Sequence, residues 1–136
     1  MECVFCSIIN RTAPAEIIYE DERIISFLDI RPFNLGHTLV VPKYHSENLL
    51  EVPVVYLTDM FRSVQFISAA VVKGLNANGF NVLSNNGRAA GQTIYHCHIH
   101  IIPRFDTDTF KFQMNLKSYT NGEMENFGNK IRSQLS

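Results

Sequence analysis

The run Tyr95-His96-Cys97-His98-Ile99-His100-Ile101-Ile102 places three of the chain's five histidines at every second position. In an extended strand successive side chains point to opposite faces, so three imidazoles would line one face about 6–7 Å apart. Cys97, Ile99 and Ile101 would form the opposite, core-facing set. Core packing does not produce a strand that is apolar on one side and all imidazole on the other. We read the histidine face as a site, and the chain as one that must back it with a strongly apolar layer.

Length and charge limit what surrounds that strand. At 136 residues the chain is expected to form one domain with a single sizeable core. A net charge of −1 gives no electrostatic case for a nucleic acid or an anionic membrane as partner. No apolar run approaches the roughly 20 residues of a membrane span. Met1-Glu2-Cys3-Val4 has no basic segment followed by an apolar one, so no secretory leader is expected. Three cysteines, two of them as Cys3-x-x-Cys6, do not resemble a secreted disulfide framework, and a cytoplasmic setting is expected.

Hydrophobic period supplies the other elements. Ile17–Tyr19 and Arg23–Leu28 flank the polar turn Glu20-Asp21-Glu22 and read as a hairpin. Asp29 to Gly36 is a loop punctuated by Pro32, and Thr38–Val41 is a short strand closed by Pro42. Leu57, Met60, Phe61, Val64, Ile67, Val71 and Leu75 recur at helical spacing, predicting one long helix from about Pro53 to Asn78 with Gly79 as its stop. Phe80–Leu83 is a strand, and the histidine strand is expected over about Thr93–Ile102, stopping at Pro103. Between them Gly87 and Gly91 imply positive φ angles and a tight reversal, making the two strands antiparallel neighbours with the loop beside the histidines. Met124, Phe127, Ile131 and Leu135 predict a shorter C-terminal amphipathic helix capped by Thr120 with Glu123. The sum is an α+β domain with a mostly antiparallel sheet around one long helix.

Three chemistries suit the histidine face. One is an accidental surface strand. A second is a metal site, although no Asp or Glu lies between Gly79 and Arg104 to complete one. The third is nucleophilic catalysis at phosphorus, since a neutral imidazole is nucleophilic near pH 7 and its neighbours can hold phosphate oxygens. Cys3-Val4-Phe5-Cys6 has the spacing of half a tetrahedral metal site.

His96-Cys97-His98-Ile99-His100-Ile101-Ile102 resembles the defining pattern of the histidine triad (HIT) superfamily, in which histidines alternate with apolar residues. Phe27-Leu28-Asp29-Ile30 with Gly36-His37-Thr38-Leu39-Val40-Val41-Pro42-Lys43, and Asn85 with Gly91-Gln92-Thr93, are similar to the family's nucleotide- and phosphate-binding segments. The resemblance covers roughly residues 2 to 106, within an expected single HIT domain of residues 1–136.

It implies that His98 is the nucleophile at the α-phosphorus of a nucleoside monophosphate derivative, and that a nucleotidyl-histidine forms and water then releases the monophosphate. It assigns His100 to the phosphate oxygens, Asn85, Gln92 and Thr93 to phosphate and leaving group, and Asp29 to the ribose hydroxyls. Phe5, Ile8, Phe27, Ile30 and Leu39 would sandwich the base, and His37 would lie beside His98. His100, where a transferase branch has glutamine, favours hydrolysis. Asn85, where the Fhit-like dinucleoside polyphosphate hydrolases have glutamine, favours the Hint-like branch and a purine phosphoramidate. Polyphosphate hydrolysis and a nucleotide-binding regulatory module are the alternatives. The resemblance further implies a structural zinc on Cys3, Cys6, His45 and His96, no catalytic cofactor, and a homodimer.

Overall fold

The computed structural model describes residues 3–135. Met1, Glu2 and Ser136, on which the expectations about a leader and about the full span of the domain partly rest, lie outside them. Five strands, β1 (Ile17–Glu20), β2 (Ile24–Leu28), β3 (Thr38–Pro42), β4 (Gly79–Leu83) and β5 (Ile99–Arg104), form one sheet in the order β1-β2-β3-β5-β4. Every neighbouring pair is antiparallel. The expected α+β class with an antiparallel sheet and one long helix is what the chain adopts.

The sheet is apolar on both sides because its central strands are. On one face, Ile24, Val40, Ile99, Ile101 and Cys97 pack against Met60, Val64, Ile67 and Val71 of the long helix α2 (Val54–Leu75). On the other, Ile25, Phe27, Leu39 and Val41 pack against Phe5 and Ile8 of a short N-terminal helix α1 (Val4–Ile9). The sequence reading did not include α1. Its signal is the apolar set Val4, Phe5, Ile8 and Ile9, two adjacent pairs one helical turn apart.

Three elements differ from expectation at their boundaries, each for a reason visible in the structure. Helix α2 ends at Leu75, with Asn76 in the left-handed conformation (φ 57°) and its N–H on the Val72 carbonyl. Asparagine, not Gly79, is therefore the stop, and Gly79 opens β4. Strand β5 begins at Ile99 rather than Thr93, because β4 ends at Leu83 opposite His100 and the pairing with β3 stops at Val40 opposite Ile99, the Cys97 N–H donating instead to the Ser46 carbonyl at 2.7 Å. It also runs through Pro103. There the proline carbonyl takes the Asn34 side-chain amide at 2.8 Å on the side where β3 has already ended at Thr38 opposite Ile101, so no ladder N–H is missing.

The third difference concerns α3 (Glu123–Arg132). Its N-cap is Gly122, not Thr120, although the Thr120 N–H does donate to the Glu123 carboxylate at 2.6 Å. No residue of α3 is buried. The glycines of the β4–β5 connection behave as expected, Gly87 and Gly91 both having φ 90°.

Candidate active site

The face of the sheet that carries α1 also carries a cavity of about 630 Å³. Its apolar wall comes from Val4, Phe5 and Ile8 of α1 and Phe27 and Leu39 of the sheet. Asp29, Ile30, Arg31 and Phe33 enter from the loop after β2, and Asn85, Thr93 and Ile94 from the loop before β5. His98 and His100 lie side by side at its floor, ring centroids 4.8 Å apart, each only 8% exposed. A concave apolar chamber with a few convergent polar groups is the form of a small-molecule site.

Hydrogen bonds fix the proton on each imidazole. His98 Nδ1 donates to the His96 carbonyl at 2.7 Å, which leaves Nε2 as a bare lone pair. The Phe33 amide donates to His37 Nδ1 at 3.1 Å, so the proton of neutral His37 is on Nε2. His37 Nε2 lies 2.9 Å from His100 Nδ1 and donates to it, so His100 carries its own proton on Nε2, the nitrogen left to the cavity. Burial is the largest cause that lowers the pKa of all three rings, and it carries His100 to about 4. The Asp29 carboxylate opposes this at each ring, without reversing it. The floor therefore presents a nucleophilic nitrogen beside an N–H donor, in rings that are neutral at pH 7.

Most residues expected at the site line this cavity, with two changes of role. His37 is 1% exposed and reaches the floor through His100, its Nε2 2.9 Å from His100 Nδ1, with Gly36 (φ 94°) turning the chain into β3 just before it. Gln92 borders the cavity, but its amide is engaged. Its oxygen takes the Gly87 N–H at 2.8 Å, and its nitrogen donates to Glu47 and Ile94 carbonyls at 2.6 and 3.0 Å. Asn85 and Thr93 make no side-chain hydrogen bond among the described residues, which leaves both available to a ligand. Ile30, 90% exposed, is a lip of the cavity and not core. Asp29 lines the cavity, one oxygen taking the Arg31 N–H at 2.8 Å and the other lying 3.7 Å from His37 Nε2. Phe33 and Arg31 are cavity residues that sequence reasoning missed, and their place in the Asp29–Gly36 loop was the available signal.

The cysteine pair closes a second cluster. Cys3, Cys6, His45 and His96 bring their ligand atoms within 4.8 Å of one another. Cys3 Sγ is 3.3 Å from His96 Nδ1, Cys6 Sγ is 3.4 Å from His45 Nδ1, and the two Nδ1 atoms are 3.1 Å apart. Tetrahedral zinc with such donors has edges of about 3.3–3.8 Å, so the set fits. His96 Nε2 donates to the Pro42 carbonyl at 2.8 Å, and burial, the leading cause, keeps the ring neutral with a pKa of about 4. Its Nδ1 lone pair is thereby directed at the two sulfurs, as in a metal-binding histidine whose other ring nitrogen is held by a carbonyl. Asp29, His37 and His100 form another close group, but the proton that the Phe33 amide places on His37 Nε2 occupies the atom a cation would need. The three alternating histidines His96, His98 and His100 do not bring their ring nitrogens together as such a group among the described residues.

A sequence model of the HIT domain matches residues 10–107. The chain belongs to the HIT family. It is 42% identical over 119 residues to the adenylylsulfatase HINT3 of Arabidopsis thaliana, covering 88% of this chain and 60% of that one. It is 38% identical over 104 residues to the adenosine 5′-monophosphoramidase HNT1 of Saccharomyces cerevisiae, covering 76% and 63%. Among solved structures, a HIT family member from Bacillus subtilis superposes with a TM-score of 0.93 at 37% identity, covering 100% of this chain and 99% of that one. A zinc-bound histidine triad protein from Mycobacterium smegmatis superposes at 0.78 with 41% identity, covering 98% and 92%. The HIT architecture thus accounts for the sheet, the long helix and the placement of His98 and His100 on one floor. Among the described residues no helix is long and apolar enough to cross a membrane.

Proposed function

We propose that this HIT protein hydrolyses nucleoside 5′-phosphoramidates and related purine nucleotidyl compounds at the α-phosphorus, through a covalent nucleotide on His98. The observation that carries the reading is the opposed protonation of the two floor rings: a lone pair on His98 Nε2 beside an N–H on His100. Attack forms the Nε2–P bond as the bond from phosphorus to the leaving nitrogen breaks. The departing amine takes a proton from the Thr93 hydroxyl or from water. The imidazolium so formed keeps its Nδ1–H on the His96 carbonyl, a neutral acceptor suited to the new positive charge. Water then attacks phosphorus, His98 leaves with its electron pair, and the nucleoside monophosphate departs while the proton shed by the attacking water restores the group that protonated the amine. His100 donates to the phosphate oxygen on which charge builds as His98 attacks.

The remaining residues bind and orient. Asn85 and Thr93 hold phosphate and leaving group. Asp29 takes the ribose hydroxyls, and Phe5, Ile8, Phe27 and Leu39 enclose the base under the Ile30 lip. The names of the two enzymatic relatives, an adenylylsulfatase and an adenosine monophosphoramidase, support an adenylyl group as the common half of the substrate. Cys3, Cys6, His45 and His96 would hold a zinc ion whose contribution is to crosslink α1 to the sheet. The reading carries with it a homodimer in the cytoplasm and no nucleic acid or membrane partner. Arg31, an exposed cation on the cavity lining, favours a second reading in which the leaving group is anionic, as in a dinucleoside polyphosphate.

The test is hydrolysis of an adenosine phosphoramidate by wild type and His98→Ala, each with and without EDTA, and acid-quench detection of adenylylated protein. Turnover and adduct lost only in the variant support the proposal. Turnover abolished by EDTA in the wild type, or a folded wild type that binds AMP yet cleaves neither phosphoramidate nor polyphosphate, would replace it with a metal-dependent or a binding role.

A further inference from the structure

The chain continues to engage the site after residue 107, where the family match ends. The Asp108 carboxylate accepts from Arg104 Nε and Nη2 at 3.0 and 3.1 Å, from the Phe105 amide at 2.9 Å and from the Asn34 side-chain amide at 3.0 Å. Arg104 also donates to the Phe110 carbonyl at 2.7 Å, and its guanidinium lies 4.9 Å from the centre of the Phe110 ring. The Phe110 ring in turn stacks on Phe33, centroids 5.2 Å apart and planes 12° from parallel. Phe33 is the residue whose ring leans on His37 at 5.0 Å and whose amide donates to His37 Nδ1. An unbroken series of contacts therefore runs from the end of β5 through Asp108 and Phe110 to the floor of the cavity.

The pair His37–His100 has two neutral proton arrangements, both compatible with its 2.9 Å contact. In one, His37 Nε2 donates and His100 faces the cavity with an N–H. In the other, His100 Nδ1 donates, His37 Nδ1 carries a proton that meets the Phe33 amide donor head-on, and His100 faces the cavity with a lone pair. Only the first gives the Phe33 amide an acceptor. A lone pair aimed at a phosphate oxygen repels it, so the second arrangement is unproductive.

We propose that Asp108, Phe110 and Asn34 are positioning residues that hold the Phe33 amide against His37 and so keep an N–H of His100 facing the cavity. The segment beyond the family match is then part of how the site is set. The inference deepens the proposed hydrolysis and rests on it only for its kinetic consequences, because the proton arrangement can be read directly.

Long-range ¹H–¹⁵N correlation spectra of the full chain labelled on histidine nitrogen report which nitrogen of each ring is protonated. In the wild type His100 is expected to be protonated on Nε2. In Phe110→Ala and Asn34→Ala the His37 and His100 signals are expected to shift toward the average of the two arrangements, while His98 keeps its Nδ1–H pattern. With an adenosine phosphoramidate, kcat should fall about tenfold with KM changed by less than about twofold, the signature of an interaction made in the transition state. Phe110→Tyr should restore both readouts. A wild-type His100 protonated on Nδ1, or an unchanged nitrogen pattern in the variants, would overturn the inference. Should Phe110→Ala not fold, Asn34→Ala carries the same readouts with only an amide removed. A wild type with the expected nitrogen pattern but no turnover would instead count against the proposed hydrolysis alone.

Discussion

His96 and His98 are joined through one carbonyl: the His96 oxygen takes the Nδ1 proton of His98 at 2.7 Å, while the His96 ring presents Nδ1 to Cys3 Sγ at 3.3 Å. The backbone that sets the protonation of the candidate nucleophile is thus the backbone of a candidate metal ligand.

Elemental analysis of the purified chain should find one zinc per polypeptide, and Cys6→Ser should lose it. A ligand that binds only the folded state at a thousandfold excess over its Kd adds about 4 kcal/mol. Calorimetry is expected to show Tm falling by about 10 °C or more on metal removal. An unchanged Tm in metal-free protein would mean that the four side chains hold nothing that stabilises the fold.

Acid should destabilise the protein through His100. Burial, with His98 and His37 next to it, lowers this ring to about 4, and Asp29 only partly offsets them. A histidine that titrates near 6.5 unfolded binds its proton more tightly in the unfolded chain, so stability is fully present above pH 6.5 and is lost as pH falls toward 4. His100 alone should remove about 2 kcal/mol between pH 7.5 and pH 5. Urea midpoints across that range should show a shallower fall in His100→Gln, whose carbonyl can still accept from His37. Parallel curves for the two proteins would contradict the assignment.

Gln92→Ala should disorder the loop before β5. The substitution strands the Gly87 N–H and the Glu47 and Ile94 carbonyls, each of which now has a partner in the Gln92 amide. Leaving buried groups unpaired costs about 1–3 kcal/mol apiece, less where water reaches them, so a net loss of about 2 kcal/mol in urea unfolding is expected. Because Asn85 and Thr93 flank this clamp, nucleotide affinity by titration calorimetry should weaken as well. Retained affinity would place the loop's order elsewhere.

Ile99→Ala tests the opposite face of the histidine segment. Ile99 is 1% exposed within the cluster that joins the sheet to α2. A buried isoleucine reduced to alanine should cost about 2–5 kcal/mol. Chemical denaturation with AMP absent measures it, and a cost below about 1 kcal/mol would mean the core relaxes around the gap.

The parts of the fold that depend on a local period were legible in the chain. Cys97, Ile99 and Ile101 alternate into the core, and Met60, Val64, Ile67 and Val71 keep a helical stripe, as their spacing requires. What escaped depends on partners distant in sequence. The start of β5 is decided by where β4 runs out opposite it and by the Ser46 carbonyl, which takes the Cys97 N–H. Gln92 reads as a ligand residue until Glu47, 45 positions away, is seen to hold its nitrogen. His37 faces His100 across 63 positions, and no spacing rule reveals which imidazole it meets. Helix α1 has only six residues, too few to carry a clear period, and its order comes from the sheet it covers.

The alternation through residues 96–101 has a consequence for how the gene can vary. Cys97, Ile99 and Ile101 fill the layer against α2, while His98 and His100 floor the cavity on the opposite side. An in-frame loss of one codon between 97 and 101 would shift the register by one and exchange the two sets, burying imidazoles in the core and turning isoleucines toward the ligand. Substitutions here can be graded in their effect. A change in length cannot, and drift in the length of this gene is expected to collect in the segment after residue 112 instead.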